Sequence, residues 1–207
     1  MSIERKEPLF KNPIESNDGL SIDDLNKYLP AINKIEDLSM TANQMRDGVF
    51  LGLAIDGIKK IPNDSIDIII TEPPESPSQD INDSRKPITI QKYFEWNKNW
   101  LKESSRILKQ TGGIYLICGW KHSGMYQSLL NSFLKIQTRI TWRNSSPKDQ
   151  TSPLTWINRT SDIWFATKSD EFMFNQEAVT DETNNAKSNG PLELGVTNLW
   201  SDIMDIQ

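Results

Sequence analysis

A run of β-branched residues that ends in two prolines restricts the fold of this chain most. Residues 65–71 read SIDIIIT and residues 72–75 read EPPE. A short apolar run of this kind suits a strand buried on both faces, as in a parallel sheet. Pro73 and Pro74 stop the ladder, because neither carries an N–H to donate. In open α/β sheets, ligands sit beyond the carboxyl ends of strands. A rigid corner at such an end holds carbonyls and flanking side chains in fixed directions. That suits a planar amino group, whose N–H donors need fixed acceptors.

The flanking sequence predicts strands alternating with helices. Residues 49–54 predict a strand, and 55–61 a short helix stopped by Pro62. A polar connection, 76–90, is long for a compact domain. Beyond it Tyr93, Trp96, Trp100, Leu101, Ser104, Ile107 and Leu108 fall at helical spacing. Gly112 and Gly113 stand where C-terminal glycines of that helix belong. Residues 114–119 predict a second buried strand containing an inert core thiol, Cys118, and 122–134 predict a helix with Met125, Leu129, Leu130 and Phe133. Strands follow at 136–142 and 162–167, with a short one at 171–175. The expected fold class is therefore α/β: a mostly parallel sheet with helices on its faces, ending in an antiparallel hairpin. Residues 1–40 are expected to form an irregular arm in which Ser21 caps a short helix, 41–175 the α/β domain, and 176–207 an extended tail.

Composition removes several classes of function. Lys and Arg total 23 against 28 Asp and Glu, a formal charge of -5, so nucleic-acid binding by bulk electrostatics is excluded and a local basic patch is required. One Cys and one His (His122) exclude a disulfide framework and a Cys- or His-rich metal centre. No run reaches the ~18 apolar residues of a membrane span. The opening residues, MSIERKEPLF, lack the apolar stretch of a secretory signal, so the expected compartment is the cytoplasm.

The stretch VFLGLAIDGIKKIPNDSIDIIITEPPESP resembles the start of the DNA amino-methyltransferases, which act on adenine N6 or cytosine N4 with S-adenosylmethionine. The segments YFEWNKNWLKESSRILKQTGGIYLI, ITWRNSSPKDQTSPLTWINRTSDIWFATKSDEFMFN and NLWSDI are similar to those that follow in the permuted, β-type members. The resemblance spans roughly residues 48–203 and implies a Rossmann-like methyltransferase fold, here incomplete. It implies a catalytic turn at Glu72, Pro73, Pro74 and Glu75, with Asp67 and Thr71 bordering the cofactor. Glu72 stands where the family has Asp, Asn or Ser, and Glu75 where it has an aromatic. The family's glycine-rich cofactor loop is not found in the sequence. A degenerate subunit of the related RNA adenosine methyltransferases also has a turn beginning Glu-Pro-Pro.

Arg143, Asn144, Lys148, Trp156, Asn158 and Arg159 combine cations, amides and an aromatic between two strands, a mixture suited to phosphate and base edges. Arg85 and Lys86 form a second candidate phosphate contact. Trp96 and Trp100 read as core or as the wall of a base pocket; His122 reads as structural or as a helix cap within reach of a phosphate. Three functions stay open. The first is an S-adenosylmethionine-dependent DNA amino-methyltransferase, or its catalytic-turn half, with DNA as substrate and the cofactor half on a second methyltransferase-like chain or a homodimer partner. The second is a pseudoenzyme that binds nucleic acid or scaffolds an active paralogue. The third is an unrelated α/β module.

Overall fold

The computed structural model describes residues 21–35, 41, 45–46, 48–74, 89–144, 156–175 and 197–201. The chain divides into two compact units, one ending at Pro62 and one running from Asn63 to Asp205.

The described part of the first unit includes α1 (Ile22–Tyr28), whose N-terminus is closed by a capping box. Asp24 N–H donates to the Ser21 hydroxyl at 3.1 Å, and Ser21 N–H donates to the Asp24 carboxylate at 3.0 Å. The two amides satisfied this way would otherwise be orphans of the first turn. A 3-10 turn over Leu29–Ala31 leads into β1 (Ile32–Lys34), which pairs in parallel with β2 (Val49–Leu51). Neither the turn nor β1 is expected from sequence, where Pro30 and scattered Asn and Asp hide a strand of three residues. Helix α2 (Ala54–Lys60) follows, and the Lys60 ammonium donates to the Ile35 carbonyl.

The second unit contains β3 (Ile66–Thr71), α3 (Ile90–Ile107), β4 (Leu108–Cys118), α4 (Trp120–Phe133), β5 (Lys135–Arg143), β6 (Thr160–Thr167) and β7 (Leu199–Trp200). The sheet order is β3-β4-β6-β5-β7. Strands β3 and β4 are parallel, as are β5 and β7, while β6 runs antiparallel to both of its neighbours. Four strands thus point one way and one is reversed, which is the mostly parallel sheet with a terminal hairpin expected from sequence.

Alternation along β4 divides the two faces. Ile114, Leu116 and Cys118 are buried, and α4 covers their side, where Trp164 Nε1 donates to the Ser123 hydroxyl at 3.1 Å. Helix α3 packs beside α4, with the Ser105 hydroxyl donating to the Phe133 carbonyl at 3.1 Å. The other face carries Tyr115 stacked on Phe165 at 4.5 Å. Phe172 and Phe174 fall against the same Phe165 ring, so 171–175, expected as a strand, is instead an irregular cover.

Two further expectations are corrected. Strand β3 is not buried on both faces: among the described residues it is an edge strand, with Ile68 53% and Ile70 68% exposed. Gly112 and Gly113 do not end a helix, because α3 stops at Ile107 and both glycines lie inside β4. Between the pairs Ile66–Leu108 and Ile68–Gly113 the register advances two residues in β3 and five in β4. At that irregularity a Cβ on Gly112 would stand 2.9 Å from the Ile66 and Asp67 carbonyls, and one on Gly113 2.9 Å from the Phe165 ring. Close approach of backbones explains these glycines.

Lys168, just after β6, ties the unit together. Its ammonium donates to the Leu108 carbonyl at 2.8 Å and lies 2.9 Å from the Asp64 carboxylate. Asp64 itself takes a left-handed backbone with φ of 51°.

Candidate functional site

Strands β3, β4 and β5 share one direction, so their carboxyl ends lie along one rim of the sheet. Thr71, the last residue of β3, pairs with Leu116, which pairs with Trp164, which pairs with Arg139. Two elements meet that rim: the corner at 72–74, and the start and end of the β5–β6 connection.

At the corner Glu72 and Pro74 are exposed and Pro73 is buried. The Pro74 carbonyl accepts a hydrogen bond from the Tyr93 hydroxyl on α3. The Tyr93 hydroxyl is 2.9 Å from that of Tyr126 on α4. The Tyr126 hydroxyl also lies 3.0 Å from Asn97 Oδ1, and Trp100 Nε1 donates to the same oxygen at 2.9 Å. Asn97 Nδ2 donates back to the Tyr93 carbonyl at 2.8 Å. Tyr93, Asn97 and Tyr126 are almost wholly buried. The His122 ring lies 5.2 Å from the Tyr93 ring, at the first turn of α4. Trp100 is core, whereas Trp96 is half-buried and stacks on Tyr93 at 6.2 Å. Sequence reasoning placed Tyr93 and Trp100 in an apolar stripe and passed over Asn97. An Asn at a core position of that stripe was the available signal, since buried amides need partners.

The β5–β6 ends bring Arg143, Trp156, Asn158 and Arg159 to the same rim. Arg143 pairs with Thr160 across the ladder, and Asn144 N–H donates to the Arg159 carbonyl at 2.8 Å. Arg143 and Arg159 are exposed, and Trp156 is 93% exposed. Asn158 accepts from the Thr160 amide at 3.3 Å, a local turn bond. Asn144 is the exception to the expected contact set. It is 1% exposed, and its side-chain amide donates to the Ser161 hydroxyl at 3.2 Å, so it closes the hairpin end and does not face a ligand.

Asp67 does not join the site. It stands near the start of β3, four positions before Thr71, or roughly 13 Å at strand rise. Its carboxylate is exposed and held by the Lys109 ammonium at 2.8 and 2.9 Å. Thr71, half-buried at the strand's end, does adjoin the corner. Glu75, Arg85, Lys86 and Lys148 lie outside the described residues. Cys118 is buried, as expected. Among the described residues no group of three or more His, Cys, Asp or Glu could hold a metal ion, and no helix is long and apolar enough to cross a membrane.

Sheet order, reversed penultimate strand and a proline corner at the carboxyl rim define a Rossmann-like methyltransferase fold. The fold of the PvuII DNA methyltransferase, described as cytosine-N4-specific, superimposes with a TM-score of 0.55 at 15% identity, over 75% of this chain and 56% of that one. TTHA0409 of Thermus thermophilus, described as a putative DNA modification methylase and solved with S-adenosyl-L-methionine, gives a TM-score of 0.52 at 14% identity, over 75% of this chain and 66% of that one. The DNA methylase family matches residues 66–204, and the chain belongs to that family. The type II methyltransferase M.HpaI of Haemophilus parainfluenzae is 34% identical over 91 residues, 43% of this chain and 29% of that protein. The chain thus spans well under two thirds of the length of the curated relatives it matches.

Proposed function

We propose that this protein acts on DNA within the adenine-N6 or cytosine-N4 methylase class, in the cytoplasm, by receiving the amino-bearing base at the Glu72–Pro74 corner. The observation that carries this reading is the shared rim: an exposed carboxylate on a proline-fixed turn, with Arg143 and Arg159 on the same side of the sheet. A base turned out of the duplex would bring its exocyclic amino group to the Glu72 carboxylate and the Pro73 carbonyl, both acceptors. Arg143 and Arg159 would meet phosphate, and Trp156 would offer a face to a base. S-adenosylmethionine is the methyl donor that family membership implies. The described residues fit it poorly, because Asp67 lies near the start of β3, roughly 13 Å from the corner. This chain's own part is capture and orientation of the base, and the donor would be held by a second methyltransferase-like chain, a homodimer partner or further sequence.

A second reading, a non-catalytic nucleic-acid-binding or scaffold subunit of a methyltransferase complex, is favoured by the distance of Asp67 from the corner and by Glu72, one methylene longer than Asp. Calorimetric titration of S-adenosylmethionine into the pure chain is expected to give no heat under either reading, and micromolar binding would show that the chain holds the donor itself. Methyl transfer by the chain joined with its donor-holding partner separates the two, lost in Glu72→Ala under the catalytic reading and unchanged under the subunit reading. The catalytic reading and the nucleic-acid-binding form of the second require DNA binding, and the scaffold form does not. Arg143→Ala/Arg159→Ala is expected to weaken gel-shift binding and to flatten the dependence of log affinity on log salt by about 2 units, as loss of two phosphate contacts dictates. An unchanged salt slope would remove the hairpin ends from the interface.

A further inference from the structure

The corner is tied to two helices by a buried hydrogen-bond network. The Pro74 carbonyl can only accept, so the Tyr93 proton must point at it. Tyr93 can then only accept from Tyr126 across their 2.9 Å contact. Tyr126 has a single proton and a second acceptor, Asn97 Oδ1, at 3.0 Å. That oxygen also accepts from Trp100 Nε1 at 2.9 Å, so the one Tyr126 proton is shared between Asn97 Oδ1 and the Tyr93 oxygen. The Asn97 amide cannot be turned round, because its Nδ2 is engaged with the Tyr93 carbonyl and its oxygen with the indole. Successive hydroxyls aligned in this way polarise one another, and in a buried setting their bonds are hard to break.

We infer that Tyr93, oriented by Tyr126 and Asn97, is a positioning residue that fixes the Pro74 carbonyl and thereby sets the direction in which Glu72 and Pro73 face a ligand. The inference deepens the reading above and rests on it for the identity of that ligand. Two prolines leave the Glu72 N–H as the one backbone donor of the corner. Pro73 and Pro74 offer only carbonyls, and Tyr93 holds the last of them. Phe94, the next residue along α3, has no hydroxyl to take over the role.

The sequence supplies a selective probe. Pro74–Glu75 is the only Pro-Glu pair in the chain. A sample labelled with carbonyl-13C proline and 15N glutamate therefore gives one carbonyl–amide correlation, that of Pro74. In the full 207-residue chain, Tyr93→Phe is expected to move this peak to lower carbonyl frequency. Tyr126→Phe should move it the same way by less, and Tyr115→Phe, on the opposite face of the sheet, should leave it in place. A second arm uses a duplex carrying 2-aminopurine. Tyr93→Phe is expected to reduce the fluorescence rise on base capture roughly three- to tenfold, the loss of one neutral hydrogen bond, while gel-shift affinity for the duplex stays as in wild type. A Pro74 peak unmoved by Tyr93→Phe, or moved equally by Tyr115→Phe, would overturn the inference. A wild-type chain that captures no base would instead sink the functional reading, and the carbonyl arm would still decide whether Tyr93 sets the corner.

Discussion

At the scale of single residues, Asn97 and Asp64 show two ways in which polar groups hold this fold. Asn97 is 0% exposed, and its oxygen is shared by Tyr126 and Trp100. Replacing it by Leu keeps the volume and strands a buried indole N–H beside a hydroxyl that loses its second acceptor. Asn97→Leu is therefore expected to lower unfolding free energy by about 1–3 kcal/mol, read from urea denaturation. Asp64 is a surface case. The hydrogen bond from Lys168 holds its carboxyl below the usual carboxylate range, with the Lys168 charge acting the same way. A carboxyl whose pKa is depressed on folding contributes stability above its unfolded pKa of about 3.9, and the contribution fades as pH falls through the folded value. Asp64→Asn keeps a residue tolerant of φ near 51°. The melting temperatures of wild type and Asp64→Asn should differ slightly at neutral pH and converge as pH falls below about 4; a gap that persists at pH 2 would assign the effect to something other than this charge. Neither role is visible in sequence. Asn97 hides within a helical stripe, and the Asp64–Lys168 contact joins residues more than a hundred positions apart.

At the scale of elements, periodicity located most of the secondary structure but not its surroundings. The α3 stripe was legible because Tyr93, Trp100, Leu101 and Ile107 repeat at helical spacing and all are buried. The isoleucines of β3 announced a strand, yet an apolar run looks the same whether one face or both are covered, so its edge position was not legible. The glycines of β4 misled for a related reason. A Gly-Gly pair after a helical stripe mimics a helix stop, whereas here it permits contact between backbones. Gly113→Ala would place its Cβ 2.9 Å from the Phe165 ring and 3.1 Å from the Ala166 carbonyl. Overpacking of this kind is expected to cost about 1–3 kcal/mol, measurable as an earlier denaturation midpoint at unchanged slope. The corner itself was legible from two prolines. Its anchor was not, because Tyr93 reaches it across 19 positions of sequence.

At the scale of the whole molecule, the second unit leaves one long side of its sheet unpaired among the described residues, with Ile68 and Ile70 exposed on it. Apolar edge strands of this kind template pairing with other chains, and a lysine is the usual natural deterrent. Ile70→Lys is expected to change unfolding free energy by no more than about 0.5 kcal/mol and to reduce concentration-dependent self-association in sedimentation velocity. Equal association of wild type and variant would show that this edge is not where copies meet. The reversed strand β6 has a different consequence. Because β5 and β6 are zipped together from Lys135–Thr167 to Arg143–Thr160, the connection between them begins and ends at fixed points. Its length can then drift with little penalty, since each doubling of a flexible loop adds only about 0.6 kcal/mol of closure entropy. A lineage built on this hairpin could therefore lengthen or shorten what it carries between two fixed anchor points while the proline corner keeps its geometry.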